Sequence, residues 1–380
     1  MKKDSYIHIV AFDIPYPPDY GGIIDVFYKI KYLYQKGIKV ILHCFQYNSK
    51  TPSEELSNYC HKIYYYKRNA TFSQHLCLLP YTVVSRKSHE LLNNLKQDNY
   101  PILFETLHCA YFINHPDLKH RLKILRLSNI EHHYYYHLFL SEKNLIKKFY
   151  FLIESIKLYF YEKKAFPKAN ILLPVTQADD KYTHQYYSNI HSIHLPSFHP
   201  YNDISVWKGK GDYLLYHGNL SVAENYKAAE FLIEKIAPYI SLPIFIAGKN
   251  PPDFLYKKAE KYPHIKIVPN PDTNEMKQLI QNAHIVWLYT HQATGLKLKL
   301  LYSLFTARFI VCNEKMIAGT SLKPNASFFI KNNHDEMITT IQSVQTLEFD
   351  DFAIEQRQSL LKEFSNEENI LKLINLIANS

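Results

Sequence analysis

Short apolar runs alternate with longer stretches of helical period along this chain, and the series occurs twice. Apolar runs fall at 7–12, 39–45, 62–66, 101–104, 123–127, 171–175 and 190–195, with helix-period stretches at 23–36, 84–97, 131–165 and 177–187. The runs are continuous rather than alternately apolar and polar, as strands covered on both faces require. Strands alternating with helices predict a mostly parallel, doubly wound α/β sheet. Around Pro196 to Asp212 the pattern lapses into Pro196-Ser-Phe-His-Pro200 and Lys208-Gly-Lys-Gly211, which read as a linker. A second series follows, with runs at 213–217, 242–247, 264–268, 284–289 and 308–312 and helices at 223–236, 252–261, 272–282 and 296–306. The expectation is two Rossmann-like domains, residues 1–198 with a C-terminal helix in 365–380, and residues 199–364. Two such domains facing each other leave a cleft at the C-terminal ends of their strands, where these folds bind ligands. Helical stretches at 334–345, 350–363 and 367–378 close the chain, and Ile370, Leu371, Leu373, Ile374 and Ile377 of the last one need a partner surface.

Composition narrows the partners. The formal charge of +9 implies something anionic, such as a nucleoside diphosphate, a lipid phosphate or a membrane surface. The lysines are spread along the chain without a basic tail, which argues against nucleic acid. Five cysteines at irregular spacings, with no CxxC, fit a reduced, cytoplasmic compartment. The apolar run near the N-terminus is too short for a signal peptide, and no uninterrupted run of about 18 apolar residues predicts a transmembrane helix.

Glycines mark the strand-to-helix crossings. Asp13-Ile-Pro-Tyr-Pro-Pro-Asp-Tyr-Gly-Gly22 follows the first strand, and Gly21 and Gly22 allow close backbone approach to a ligand. Neither GxGxxG nor GxxxxGK[ST] is present, so a nicotinamide or flavin cofactor and a P-loop are not expected. In the second half, Tyr213-Leu-Leu-Tyr-His-Gly-Asn-Leu220 and Phe245-Ile-Ala-Gly-Lys-Asn-Pro251 again place glycines at strand ends. The stretch Gln292-Ala-Thr-Gly-Leu-Lys-Leu-Lys-Leu-Leu301 reads as a loop and a helix opening on Thr294-Gly295, with Lys297 and Lys299 in the first turn. Acids usually occupy a first turn, so two lysines there suggest a compensating phosphate at the helix start.

Taken in order, Gly21-Gly22, Gly218-Asn219-Leu220, Ile246-Ala-Gly-Lys249 and Gly295-Leu-Lys-Leu-Lys-Leu-Leu301 resemble a GT-B glycosyltransferase, close to the retaining glycosyltransferase family four. The resemblance spans nearly the whole chain and is strongest from 213 to 312. It implies a nucleotide-sugar donor and no further cofactor. It places Gly21 and Gly22 under the donor diphosphate, Gly218 and Asn219 on the diphosphate pocket, and Gly248, Lys249, Pro269 and Asn270 around the nucleobase. It points the helix after Thr294 and Gly295 at the diphosphate and brings the C-terminal helix back onto the first domain. Two family glutamates, eight positions apart, are replaced here by Thr294 and Tyr302, and the family's Lys-Asn pair appears as Glu224-Asn225. Tyr302 then takes the ribose-binding place.

In the first half, Leu103-Phe-Glu-Thr-Leu-His108 and Arg126-Leu-Ser-Asn-Ile-Glu131 run off the sheet edge. The resemblance gives His108 a contact with sugar or acceptor; Asn129 and Glu131, together with Glu105, are the candidate acceptor contacts. His108 and Lys297 are the candidate catalytic residues. No HExxH, no cysteine cluster and no Asp-x-Asp occur, so no metal is expected. The stretch 131–166 interleaves tyrosines and phenylalanines with lysines, a composition suited either to core packing or to the inner face of a membrane bearing a lipid-linked acceptor. The expected activity is sugar transfer to a saccharide in polysaccharide biosynthesis. The alternatives are a sugar-nucleotide epimerase of the same fold and a catalytically degenerate binding partner.

Overall fold

The computed structural model describes residues 5–46, 50–293 and 296–379. The chain divides into two units, Met1–Pro200 with Asn366–Ser380, and Tyr201–Ser365. The first holds strands β1 (Tyr6–Ala11), β2 (Lys39–Gln46), β3 (Lys62–Lys67), β4 (Ile102–Glu105), β5 (Lys123–Leu127), β6 (Ile171–Pro174) and β7 (His191–Ser192). The second holds β8 (Leu214–His217), β9 (Ile244–Gly248), β10 (Ile265–Pro269), β11 (Ile285–Leu288), β12 (Phe309–Cys312) and β13 (Phe328–Ile330).

All pairings between these strands are parallel, in the orders β3-β2-β1-β4-β5-β6-β7 and β10-β9-β8-β11-β12-β13. Each order reverses once, between β1 and β4 and between β8 and β11. At such a point the two neighbouring crossovers leave on opposite faces of the sheet and a crevice opens at the strands' C-terminal ends. The apolar runs behave as expected of covered strands: β4, β5, β6, β8, β11 and β12 are buried at every residue. In β1, Ile7, Ile9 and Ala11 enter one core while Val10 enters the core on the opposite face. The C-terminal helix Asn366–Ala378 adds Ile370, Leu373 and Ile374 to the core that holds Ile7, Ile9, Ile30 and Leu33. Each fully buried side chain of this kind contributes roughly 1.5–3 kcal/mol. Leu371, read as part of that apolar face, points outward.

Four local readings change. The stretch 131–165 is two antiparallel helices, Glu131–Ser141 and Leu145–Ala165. Asn144 breaks it: its side chain accepts from the amides of Ile146 and Lys147, both at 3.1 Å, and so starts a new helix. The stretch 84–97 contracts to His89–Leu95, capped by Ser88. The three-residue strand β13 is too short to register as an apolar run. The helix expected to open on Thr294-Gly295 spans Leu298–Thr306, because Lys297 is extended and occupies the N-cap position. Lys299 therefore belongs to its first turn and Lys297 does not.

Candidate functional site

In the second unit, β8 ends at His217 and turns through Gly218 and Asn219 into the helix Ala223–Phe231. A Cβ on Gly248 would lie 1.8 Å from the Gly218 carbonyl oxygen, so the ends of β8 and β9 meet backbone to backbone. Only glycine permits that approach. The Asn219 side chain does not project from the turn; it accepts from the amide and hydroxyl of Ser221 at 3.1 and 2.7 Å. Next to it, Lys249, Pro269 and Asn270 are exposed at the ends of β9 and β10. Asn250 and Asn270 both take left-handed φ values, 47° and 51°, and the Asn250 amide donates to the Asn270 side chain at 2.8 Å. Asparagine tolerates this region better than most residues. The two loops thus form one rim.

The helix Leu298–Thr306 starts with no acid in its first turn and no side-chain cap. Lys297 Nζ lies 3.4 Å from Glu224 Oε1, which also accepts from the Thr290 hydroxyl at the end of β11. Lys299 donates to Asn225 Oδ1 at 2.9 Å, and Asn225 Nδ2 donates to the Asn219 carbonyl at 2.9 Å. Burial around the Lys299 ammonium lowers its pKa to about 8, against the pull of Glu224. Ser303 donates to the Lys299 carbonyl at 2.9 Å and so accepts from His217 Nε2, also at 2.9 Å. Burial drops the His217 pKa to about 3 and keeps this imidazole neutral. Tyr302 stacks on Tyr201 with centroids 4.8 Å apart, and burial raises its phenol to about 12. The fold thus gathers Gly218, Asn219, Gly248, Lys249, Asn270, Lys297 and Tyr302 along one sheet end. Thr294 and Gly295 lie outside the described residues.

In the first unit, β1 runs into a loop closed by buried Asp13, which accepts from the Ile14 amide and the Tyr20 hydroxyl, each at 2.8 Å. Gly21 and Gly22 then begin the helix Gly21–Gln35, which has no acid in its first turn. A Cβ on Gly22 would approach Phe12 Cζ to 2.8 Å, so the ring of Phe12 lies against this turn. After β4, Thr106 sits at φ 73°, a strained value for a β-branched residue, and its hydroxyl accepts from the His108 amide at 3.2 Å. His108 Nε2 is 3.3 Å from Glu131 Oε2 without the alignment of a hydrogen bond. Burial, with Glu131 adding to it, raises Asp179 nearby to about 6. Asn129 is half-buried just before the helix that Glu131 begins.

One sequence candidate takes a different place. Glu105, expected to touch an acceptor, is 1 % exposed and accepts from Lys29 Nζ at 2.7 Å. Its carboxylate belongs to a buried network with Asp25, Lys29 and Arg126. Thr106, Asp179, Arg68 and Arg86 join the surroundings of this site without having been singled out. They belong to no motif. Thr106 stands two positions before His108, whereas Asp179, Arg68 and Arg86 reach its surroundings through contacts distant in sequence. A cleft of about 900 Å³ opens beside Phe12, Tyr20, Arg86 and His108. Among the described residues, no cluster of histidine, cysteine, aspartate or glutamate has metal-binding geometry.

The architecture is that of the GT-B glycosyltransferases. The lipopolysaccharide outer core galactosyltransferase WaaB, in its apo form, matches with a TM-score of 0.64 at 13 % identity, over 96 % of this chain and 99 % of that one. HepE of Anabaena, in complex with UDP, matches with a TM-score of 0.64 at 11 % identity, over 99 % and 100 % of the two chains. At these identities the likeness establishes the fold. In sequence, the chain is 24 % identical over 345 residues to the "Uncharacterized 44.6 kDa protein in cps region" of Klebsiella pneumoniae, covering 86 % of this chain and 87 % of that protein. No protein-family profile matches the sequence.

Proposed function

We propose that this protein is a glycosyltransferase that moves a sugar from a nucleoside-diphosphate donor to a saccharide or lipid-linked saccharide, with retention of configuration and without a metal. The observation that carries the reading is the repeated strand order. It puts a glycine-bearing turn at the reversal point of each sheet, on a chain that follows the folds of WaaB and UDP-bound HepE nearly end to end. The donor lies on the second unit, with its base against the rim of Lys249, Pro269 and Asn270. Its diphosphate sits at Gly218 and the start of the helix Leu298–Thr306, beside Lys297. The anomeric carbon–oxygen bond breaks with its electron pair going to the leaving phosphate oxygen. The acceptor hydroxyl attacks on the same face and its proton passes to that oxygen. Helix-start amides and Lys297 stabilise the charge that develops there. His108, backed by Glu131, orients the acceptor. The name of the Klebsiella relative, which sets it in a cps region, fits a role in assembling a surface saccharide.

A second reading, a nucleotide-binding partner without turnover, is favoured by Glu224, whose carboxylate faces Lys297 where a diphosphate needs positive charge. Thermal unfolding with UDP, GDP, ADP and CDP separates the two. A ligand at about 100 times its Kd adds about 2.7 kcal/mol to the folded state, a clear rise in Tm. One nucleotide is expected to produce it and Lys297→Ala to lose most of it. No response to any of the four would sink both readings. Binding without transfer from the matching nucleotide sugar would select the second. The anomer of the product, and activity in EDTA, decide retention and metal independence.

The finer localisation is the inner face of a membrane. No described helix is long and apolar enough to cross one. The hairpin helix Leu145–Ala165 instead presents Leu145, Ile146 and Phe149, and the segment beside it presents Phe72, Leu76 and Leu78, all between 64 and 94 % exposed. Lys143 and Lys147 are exposed beside Leu145 and Ile146, and Lys163 and Lys164 are exposed in the last turn of the same helix. Lys157 ties the two segments by donating to the His75 carbonyl at 2.9 Å. Exposed apolar side chains with lysines on the same helix suit an anionic lipid surface. Sedimentation with phosphatidylglycerol vesicles is expected, and little with phosphatidylcholine. Each lysine contributes about 1 kcal/mol, so Lys143→Glu with Lys147→Glu should weaken binding at least about tenfold. Equal sedimentation with both lipids, or none, would remove the membrane contact.

A further inference from the structure

In the first unit three buried rings form a hydrogen-bonded chain whose direction is fixed by its ends. His8 of β1, His43 of β2 and Tyr66 of β3 are 1, 0 and 2 % exposed. Side-chain alternation puts them on the face of the sheet that also carries Val10 and Phe45. His8 Nε2 meets the two Asp98 oxygens at 2.9 and 3.0 Å, and His8 Nδ1 meets His43 Nε2 at 2.8 Å. His43 Nδ1 meets the Tyr66 hydroxyl at 2.8 Å. Asn94, on the helix His89–Leu95, closes the chain by donating to the Tyr66 oxygen through Nδ2 at 2.9 Å. The chain stands behind the wall of the cleft, which is lined by Gln46 at the end of β2 and by Arg68 and Ala70 just past β3.

The Asp98 carboxylate accepts, taking the Tyr100 amide at 3.0 Å and Arg121 Nη2 at 3.2 Å as well. His8 therefore holds its proton on Nε2 and presents a lone pair at Nδ1. That lone pair needs the His43 proton on Nε2, which leaves His43 Nδ1 to accept from the Tyr66 hydroxyl. In this direction every donor has an acceptor. A further proton on either imidazole reverses the last link: His43 Nδ1 then donates to the Tyr66 oxygen, and the Tyr66 hydroxyl hydrogen loses its acceptor inside the packed sheet. The charged groups around the pair are Asp98, Arg121, Lys62 of β3 and Glu90 of the helix, and the rings of Tyr64 and Tyr100 stack on it. Burial lowers the pKa of both histidines, against Asp98 at His8 and with His8, Arg121 and Lys62 adding to it at His43.

We propose that this chain of side chains is an acid-sensitive latch: with both imidazoles neutral it ties the helix His89–Leu95 to β3 behind the cleft wall, and a proton taken up by the pair releases the tie. The latch does not depend on which reaction the protein performs. Histidines kept neutral by the fold leave its stability whole above their ordinary pKa of about 6.5, and that stability is lost as pH falls below it. Each histidine that stays neutral raises the opening constant about tenfold between pH 7.5 and 5.5. Two measurements on the full chain test this. Long-range proton–nitrogen NMR at pH 7.5 should show His8 and His43 both protonated on Nε2, and an Nδ1 proton on either would overturn the latch. Hydrogen-exchange mass spectrometry, corrected for intrinsic rates, reads opening of residues 62–67 and 89–95. Both segments should open about tenfold or more as pH drops from 7.5 to 5.5, and in His43→Phe the rise should be at least about threefold smaller. If that variant does not fold, Asn94→Leu decides, since Asn94 is only half-buried and its loss spares both histidines. There the strand should keep its pH dependence and the helix should lose it. No rise in the wild type, an undiminished rise in a folded His43→Phe, or a helix that stays pH-dependent in Asn94→Leu would each refute the latch.

Discussion

Gly248→Ala is expected to lower the melting temperature of the second unit by about 6–12 °C and to abolish its response to nucleoside diphosphates. The added Cβ would lie 1.8 Å from the Gly218 carbonyl oxygen, and 3.1 Å from Leu220 Cγ. The first neighbour is backbone and cannot rotate away. Relief requires parting β8 from β9 at the point where the Gly218 amide donates to the Ala247 carbonyl at 3.1 Å. Overpacking that forces a backbone shift costs about 3 kcal/mol or more. In a unit of this size that corresponds to the fall given above. The same shift moves the Gly218-Asn219 turn and the Lys249 rim, so binding fails with stability. Gly37→Ala is the control: its φ is +75° but nothing lies within 4 Å of the new Cβ, so only about 1–2 kcal/mol of backbone strain is at stake. Calorimetry showing the Gly248 variant within a degree or two of wild type would refute the backbone contact.

The second large effect belongs to the first unit. Arg126 is fully buried and donates to Asp25 through Nε at 3.1 Å and Nη2 at 3.4 Å, to the Pro196 carbonyl at 3.0 Å, and to the Leu195 carbonyl. Asp25 also accepts from the Phe198 amide at 2.7 Å and from Lys29 at 3.3 Å. Burial alone would raise the Asp25 pKa, but Arg126 and Lys29 overcome it and hold the carboxyl below its ordinary value. Lys29 and Glu105 complete two cations against two anions. Arg126→Leu leaves one buried negative charge uncompensated and strands carbonyl oxygens, which should cost about 3–5 kcal/mol in urea unfolding. Asp25→Asn in the Arg126→Leu background restores the charge balance and should recover part of the loss, a coupling that a double-mutant cycle reads directly. A loss below about 1 kcal/mol for the single variant would show that these groups do not act as a pair. The network ties the helix behind Gly21-Gly22 to β4, β5 and the chain after β7. It therefore sets where that turn stands relative to Thr106 and His108.

The sequence carried the fold in its periodicities. Continuous apolar runs named nearly every strand, and the glycines at 21, 22, 218 and 248 marked the ends where the chain turns into a helix or touches another strand. These are local signals, each written within about ten residues. The helix break at Asn144 was also local, but a cap inside an aromatic, amphipathic stretch is masked by the stronger helical period around it. Lys297 was legible as a cation at a helix start. That Glu224 stands opposite it was not, since 73 positions separate the two.

What the sequence determined alone was the order of strands and helices, the glycine turns between them and the basic, aromatic character of the surface. These follow from side-chain period and backbone stiffness, which act over a few residues. Only the tertiary structure decided which charges meet. Glu105 was drawn into a buried network instead of facing a ligand, and Arg68 and Arg86 were brought beside His108 around one cleft. Burial and pairing depend on what chain topology places within a few ångströms, and that is a property of the packed sheet and not of any segment by itself.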